Sequence, residues 1–152
     1  MNIQVKDFIK KEKNDFCSMV TEFYNSDAVS HNIPKKNIMQ TFDMHISKSP
    51  FVRCLVLEYD NKKAGFALLS FTHSTEAGGL VVLLEDLFVK LEFRGKGIVS
   101  KFFEFLFNAY DKKAARYRLE VTATNKKAIE IYSHYGFETL EYSNMVKDMM
   151  IS

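Results

Sequence analysis

The spacing of apolar residues changes period several times along the chain, and each change marks an element. Ile3 and Val5 alternate with polar neighbours and predict a short first strand. From Asn14, a residue type suited to capping, Phe16, Met19, Val20 and Phe23 recur at i, i+3, i+4 and i+7 and predict an amphipathic helix. A second helix is expected from Pro34 through Ile46. Ile38, Phe42 and Ile46 share one face of it, and Pro50 enforces its end.

From Phe51 the period becomes 2. Phe51 to Tyr59 is rich in Val, Leu and Phe, Asp60-Asn61-Lys62 supplies turn residues, and Ala64 to Thr72 is apolar again, which predicts an antiparallel hairpin. After Gly78-Gly79, Leu80 to Val89 is a third hydrophobic strand, expected at the centre of the sheet and interrupted only by the acidic pair Glu85-Asp86.

Arg94-Gly95-Lys96-Gly97 then leads into a helix from about Ile98 to Lys113. Ile98, Phe102, Phe105, Leu106 and Ala109 form one stripe of it, and Phe103, Phe107 and Tyr110 another, an apolar arc wide enough to pack on a sheet and be covered on a flank. Tyr117 to Ala123 predicts a further strand. Asn125 to Tyr135 predicts a helix with Ala128, Ile131, Tyr132 and Tyr135 inward and Gly136 as its stop. Alternation from Phe137 to Met149 predicts a closing strand. The order β-α-α-β-β-β-α-β-α-β is that of a mixed α+β fold, with helices flanking one sheet.

Composition narrows the function. No linker, repeat or low-complexity tract divides the 152 residues, which suit a single domain over residues 1–152. Fourteen Phe and seven Tyr without Trp point to a well-filled aromatic core. The formal charge of +2, from 21 Lys and Arg against 19 Asp and Glu, is too balanced for a nucleic-acid or membrane-surface protein. No nucleic acid or membrane partner is therefore expected, and any basic site is local. The apolar run Leu80–Leu84 is far short of the ~18 residues of a membrane span, and Met1 to Lys13 has no signal-peptide core. Cys17 and Cys54 have neither zinc nor disulfide spacing, so a reducing, cytoplasmic location is the expectation. His31, His45, His73 and His134 show no ligand spacing, and no metal is expected.

The segment with most chemical content runs from Leu84 to Ile98. A strand ends at Val89, and a glycine-bearing loop opens a helix. Gly95 and Gly97 allow the backbone to turn with its N–H groups aimed into one concavity, where the helix dipole adds positive potential, an arrangement suited to phosphate. Ser100 stands where a Rossmann fingerprint requires glycine, and the Walker A spacing is absent. The alternative for this segment is a plain strand-to-helix turn.

A second segment sharpens the first. Asn125, Ala128, Tyr132, Gly136 and Phe137 keep the spacing N-x-x-A-x-x-x-Y-x-x-x-G-F, and Arg94-x-x-Gly97 meets R/Q-x-x-G-x-G/A. On these residues the chain resembles the GCN5-related N-acetyltransferases, whose order of elements is also the one predicted here. Val99 departs from the pattern, since the family has Gly or Ala there.

The resemblance implies an acyl-CoA N-acyltransferase fold, a central mixed sheet with splayed parallel strands, and acetyl-CoA as cosubstrate. The backbone of Leu87 and Val89 would pair with the pantetheine arm as with an added strand, and Phe88 between them is the third cofactor-binding candidate there. The pyrophosphate would rest on the amides of Arg94, Gly95, Lys96, Gly97, Ile98, Val99 and Ser100. Lys96 and Lys101 are candidates for added charge, and Asn125 for a hydrogen bond to the cofactor or a helix cap.

An amine acceptor with a pKa of about 10.4 is protonated at neutral pH and needs a base before it attacks a thioester. Glu85 is the candidate base, placed by period-2 alternation on the face of Leu87 and Val89 and opposite Asp86. The alternative for Glu85 is a structural ion pair or a capping role. The backbone N–H near Leu87 would hold the oxyanion. Tyr132, on the family motif, would protonate the leaving thiolate, and its alternative is a packed core tyrosine.

The acceptor should lie among Tyr24 to Ile46 and Phe71 to Gly79. The run Leu84–Val89 is similar to that of spermidine/spermine acetyltransferases, which implies a small diamine or polyamine. A peptide N-terminus, another small amine, or a non-catalytic acyl-CoA-binding role are the alternatives. A homodimer is the assembly most frequent among soluble proteins.

Overall fold

A computed structural model describes residues 1–26 and 33–149. The chain divides into two compact units, Met1–Glu120 and Val121–Ser152, described here each by itself.

In the first unit, five strands form one mixed sheet in the order β1-β2-β3-β4-β5: β1 (Ile3–Asp7), β2 (Val52–Tyr59), β3 (Lys62–Ser74), β4 (Gly79–Val89) and β5 (Ala114–Leu119). The first three pairings are antiparallel, and β4 pairs with β5 in parallel. Helices α1 (Lys13–Tyr24) and α2 (Lys35–Ile46) connect β1 to β2, and α3 (Ile98–Tyr110) connects β4 to β5. The expected hairpin is present. Asp60 and Asn61 form its two-residue loop with φ of 48° and 66°, the left-handed pair that a tight hairpin turn demands.

Alternation along the strands builds two cores. Cys54, Val56, Phe66 and Phe88 face α1 and α2, where Phe8, Phe16 and Phe42 stack edge to face or tilted at 5.2–6.2 Å. Leu55, Leu57, Ala67 and Leu69 point the other way, to the side covered by the buried Ile98, Phe102, Phe103 and Leu106 of α3. His45 ties α2 to the sheet. Its Nδ1 accepts from Cys54 N–H at 3.1 Å, so its Nε2 carries the proton and donates to Phe8 O at 2.9 Å.

Three boundaries differ from the periodicity. α3 stops at Tyr110 rather than Lys113, because Lys113 N–H closes a turn onto Tyr110 O and delivers the chain to the sheet. β5 is Ala114–Leu119 rather than Tyr117–Ala123: its ladder begins at Leu80↔Ala114 and ends at Leu84↔Leu119. Arg116 and the preceding Lys112 and Lys113 disguise its first half in a hydropathy pattern. The strand expected over Phe137–Met149 is absent among the described residues, and Met145 there is 93% exposed. Alternation supplies the side chains of a strand and no backbone partner, and a strand requires both.

The second unit contains α4 (Lys126–His134). Asn125 Oδ1 accepts from Ala128 N–H at 3.2 Å and caps it. Gly136, at φ 93°, ends it, and Phe137 N–H returns to Tyr132 O at 3.1 Å. Ala128, Tyr132 and Tyr135 are half-buried, whereas Ile131, expected inward, is 39% exposed because it sits at the edge of that face.

Candidate active site

β4 outruns its parallel neighbour. Pairing with β5 ends at Leu84↔Leu119, while pairing with β3 continues to Gly65↔Val89. Among the described residues, Glu85 to Val89 therefore have a strand on one side only. β3 approaches this half very closely: a Cβ on Gly65 would stand 2.0 Å from Phe88 O. Phe88 is buried against Phe23 and Phe66 at 5.6 and 6.0 Å, and Leu87 is half-buried.

At the junction of the two halves lies a bulge. Leu68 pairs with Asp86 and Leu69 with Leu84, so Glu85 is an extra residue with no opposite number. This corrects the alternation that separated Glu85 from Asp86. Ser70 Oγ donates to Glu85 Oε1 at 2.6 Å. Ser70 shares its face with Leu68, two residues away and opposite Asp86, so both carboxylates stand on the α1/α2 side of the sheet. Glu85 is exposed there.

Asp86 is 9% exposed, and Tyr24 at the end of α1 donates to its two carboxylate oxygens at 3.1 and 3.0 Å. Burial raises the Asp86 carboxyl from 3.8 to about 6. The Tyr24 hydrogen bond opposes that rise, and the charge of Glu85 adds to it. The Tyr24 phenol is itself pushed up, first by burial and then by the Asp86 charge.

Tyr24, Ser70 and Asp86 gather with Glu85 at this bulge; Tyr24 begins the segment expected to enclose an acceptor and Asp86 was expected on the opposite face, whereas nothing in the periodicity pointed to Ser70. The signal present in the sequence was two consecutive carboxylates inside an apolar strand. Of the segments expected to enclose an acceptor, Asp27 to Asn32 lie outside the described residues. At the tip of the β3–β4 hairpin, Arg116 Nη2 meets Glu76 Oε1 at 3.2 Å.

Past Val89, a single turn at Leu91–Phe93 leads into the glycine loop. Gly95 and Gly97 adopt φ of 76° and 87°, a left-handed conformation that favours glycine, and Gly97 is the N-cap of α3. A Cβ on Gly95 would meet nothing within 4 Å, so that side of the loop is open. The amides of Ile98, Val99 and Ser100 are in the first turn and have no intrahelical acceptor.

Arg94 folds back, its Nε donating to Val89 O at 3.0 Å. The two lysines near the loop are engaged within the chain. Lys96 Nζ lies 5.5 Å from the centre of the Tyr59 ring, and Lys101 pairs with Glu104 at 3.3 Å.

Asn125 and Tyr132 belong to the second unit. The Tyr132 phenol is raised by burial, and its ring stands 6.1 Å from Phe137. Cys54 is fully buried, and burial pushes its thiol up to about 12, which suits packing and not nucleophilic attack.

A mixed sheet whose fourth strand outruns a parallel neighbour and then turns through a two-glycine loop into a helix defines the acyl-CoA N-acyltransferase fold. The chain belongs to the GNAT family, since the profile of the Acetyltransferase (GNAT) family matches residues 16–137.

It is 28% identical over 149 residues to thialysine N-epsilon-acetyltransferase of Mus musculus, with 92% of this chain and 86% of the mouse protein covered. To the enzyme of that name from Sus scrofa it is 36% identical over 102 residues, which cover 61% of this chain and only 59% of the pig protein. The solved structure of AAC(6')-Iy with a bisubstrate analogue superposes with a TM-score of 0.80 at 15% identity, covering 99% of this chain and 100% of that one, and shows the shared fold.

Proposed function

We propose that this chain is an acetyl-CoA-dependent N-acetyltransferase acting on a small cationic primary amine, with a diamine or polyamine as the first candidate. The observation that carries the reading is the open half of β4, with a carboxylate pair at its start and the glycine loop beyond its end. An amide-bearing arm adds to such an edge as a strand would, here along Leu87, Phe88 and Val89. A pyrophosphate suits the left-handed glycines and free first-turn amides between Arg94 and Ser100. Two carboxylates on one face favour a cationic acceptor, and the names of the mouse and pig relatives agree with an amine.

Acetyl-CoA, when bound, supplies the thioester. Glu85 accepts a proton from the ammonium through a water, which frees the nitrogen lone pair to form the C–N bond. The Leu87 N–H faces the negative charge that grows on the carbonyl oxygen. As the C–S bond breaks the sulfur takes up a proton, and the second proton lost by nitrogen goes to solvent.

The test offers acetyl-CoA with thialysine, putrescine, spermidine or a peptide with a free N-terminus, and follows free thiol together with the acetylated product by mass spectrometry. Turnover with a diamine or polyamine is expected. Faster turnover of the peptide overturns the substrate class. Acetyl-CoA binding without thiol release from any acceptor overturns the enzymatic reading in favour of a non-catalytic acyl-CoA-binding protein.

A further inference from the structure

Ser70 carries the one hydrogen-bonding side chain between Ala64 and Phe71. In β3 it stands opposite Leu83 and beside Val52 of β2. Its bond to Glu85 exists because of the bulge. Had pairing continued regularly from Leu68↔Asp86, Glu85 would oppose Leu69 and point to the α3 side. Instead Leu69 keeps Leu84 as its neighbour in that core, and Glu85 turns to the hydroxyl.

We propose that Ser70 is a positioning residue that fixes the Glu85 carboxylate at the bulge for proton acceptance. The proposal rests on the reading of Glu85 as base. An exposed glutamate otherwise samples many rotamers, and a misplaced base loses rate steeply. The O–H···O contact of 2.6 Å lies in the short range of hydrogen bonds to a charged acceptor. The bond uses one lone pair of Oε1, and Oε2 stays available for a water or an ammonium. The hydroxyl proton is committed to Glu85, so Ser70 supplies orientation and no proton. The neighbouring Asp86 does not compete, because Tyr24 engages both its oxygens.

A double-mutant cycle of Ser70→Ala and Glu85→Gln tests this, with Ser70→Thr as the conservative variant and steady-state kinetics on spermidine and thialysine as readout. Ser70→Ala is expected to lower kcat about tenfold, the scale of one hydrogen bond to a charged group, with KM for acetyl-CoA unchanged. Ser70→Thr restores kcat, and the effect of Ser70→Ala disappears when Glu85 is already Gln. Full kcat in Ser70→Ala while Glu85→Gln is impaired overturns the role of Ser70 and leaves Glu85 as base. An equal loss in both backgrounds also overturns it, since Ser70 then acts without Glu85. Full activity of Glu85→Gln, or no turnover of either amine by the wild type, overturns the parent reading and this inference with it.

Discussion

Residues Leu80–Leu84 of β4 have β3 on one side and β5 on the other, whereas among the described residues Glu85–Val89 pair with β3 alone. In the first half both neighbours use the backbone, and Val81, Val82 and Leu84 are buried. In the second half one row of N–H and C=O groups is left without a strand, and Glu85 and Asp86 stand at its start. A sheet edge of this kind is ordinarily a liability, because it invites another chain to pair. Here the short length, the bulge and the adjacent carboxylates restrict what can add there. One extra residue in the register stands where the doubly paired half meets the singly paired one.

The contrast can be broken from either side. Gly65→Ala should have the largest effect, because the new Cβ would collide with Phe88 O and push β3 off the half of β4 that, among the described residues, pairs with β3 alone. A loss of about 3 kcal/mol in urea unfolding is expected, at the upper end of overpacking costs.

Asp86→Asn should act in the opposite direction. The folded carboxyl is held up at about 6 against 3.8 for the free group, so the folded protein binds this proton more tightly than the unfolded chain. Its contribution to stability is fully present below the unfolded value and is lost as pH rises through about 6. The spread amounts to roughly 3 kcal/mol. Asn keeps an acceptor for Tyr24 and cannot ionise, so thermal unfolding should show the variant more stable by about 2 kcal/mol above neutral pH, with the advantage shrinking toward pH 4.

Tyr24→Phe removes the donor that stabilises the charged form. It should cost about 1 kcal/mol above neutral pH and little in acid, and should move the pH dependence upward. Arg116→Ala at the paired half should change stability least, within about 0.5 kcal/mol, because its bridge to Glu76 is exposed. A large loss there would show that the paired half depends on its rim charges and not on its ladder.

By itself the sequence determined the succession of elements through α4, the hairpin at Asp60-Asn61, the capped start of α4 and the glycine loop ahead of α3. These depend on residues within one or two turns of each other, and local spacing carries that information. It also held both family motifs.

Only the tertiary structure decided the rest. The face of Glu85 depends on β4 having one residue more than β3 across a pairing of two segments, and neither segment alone records the count. The Tyr24–Asp86 contact joins residues 62 apart in the chain. Ala114–Leu119 is a strand because Leu80–Leu84 offers it an edge, although its arginines speak against one. Phe137–Met149 has the alternation and no strand neighbour among the described residues. A period of 2 states which side chains share a face, while a hydrogen-bonded neighbour decides whether a strand exists and in which register it stands.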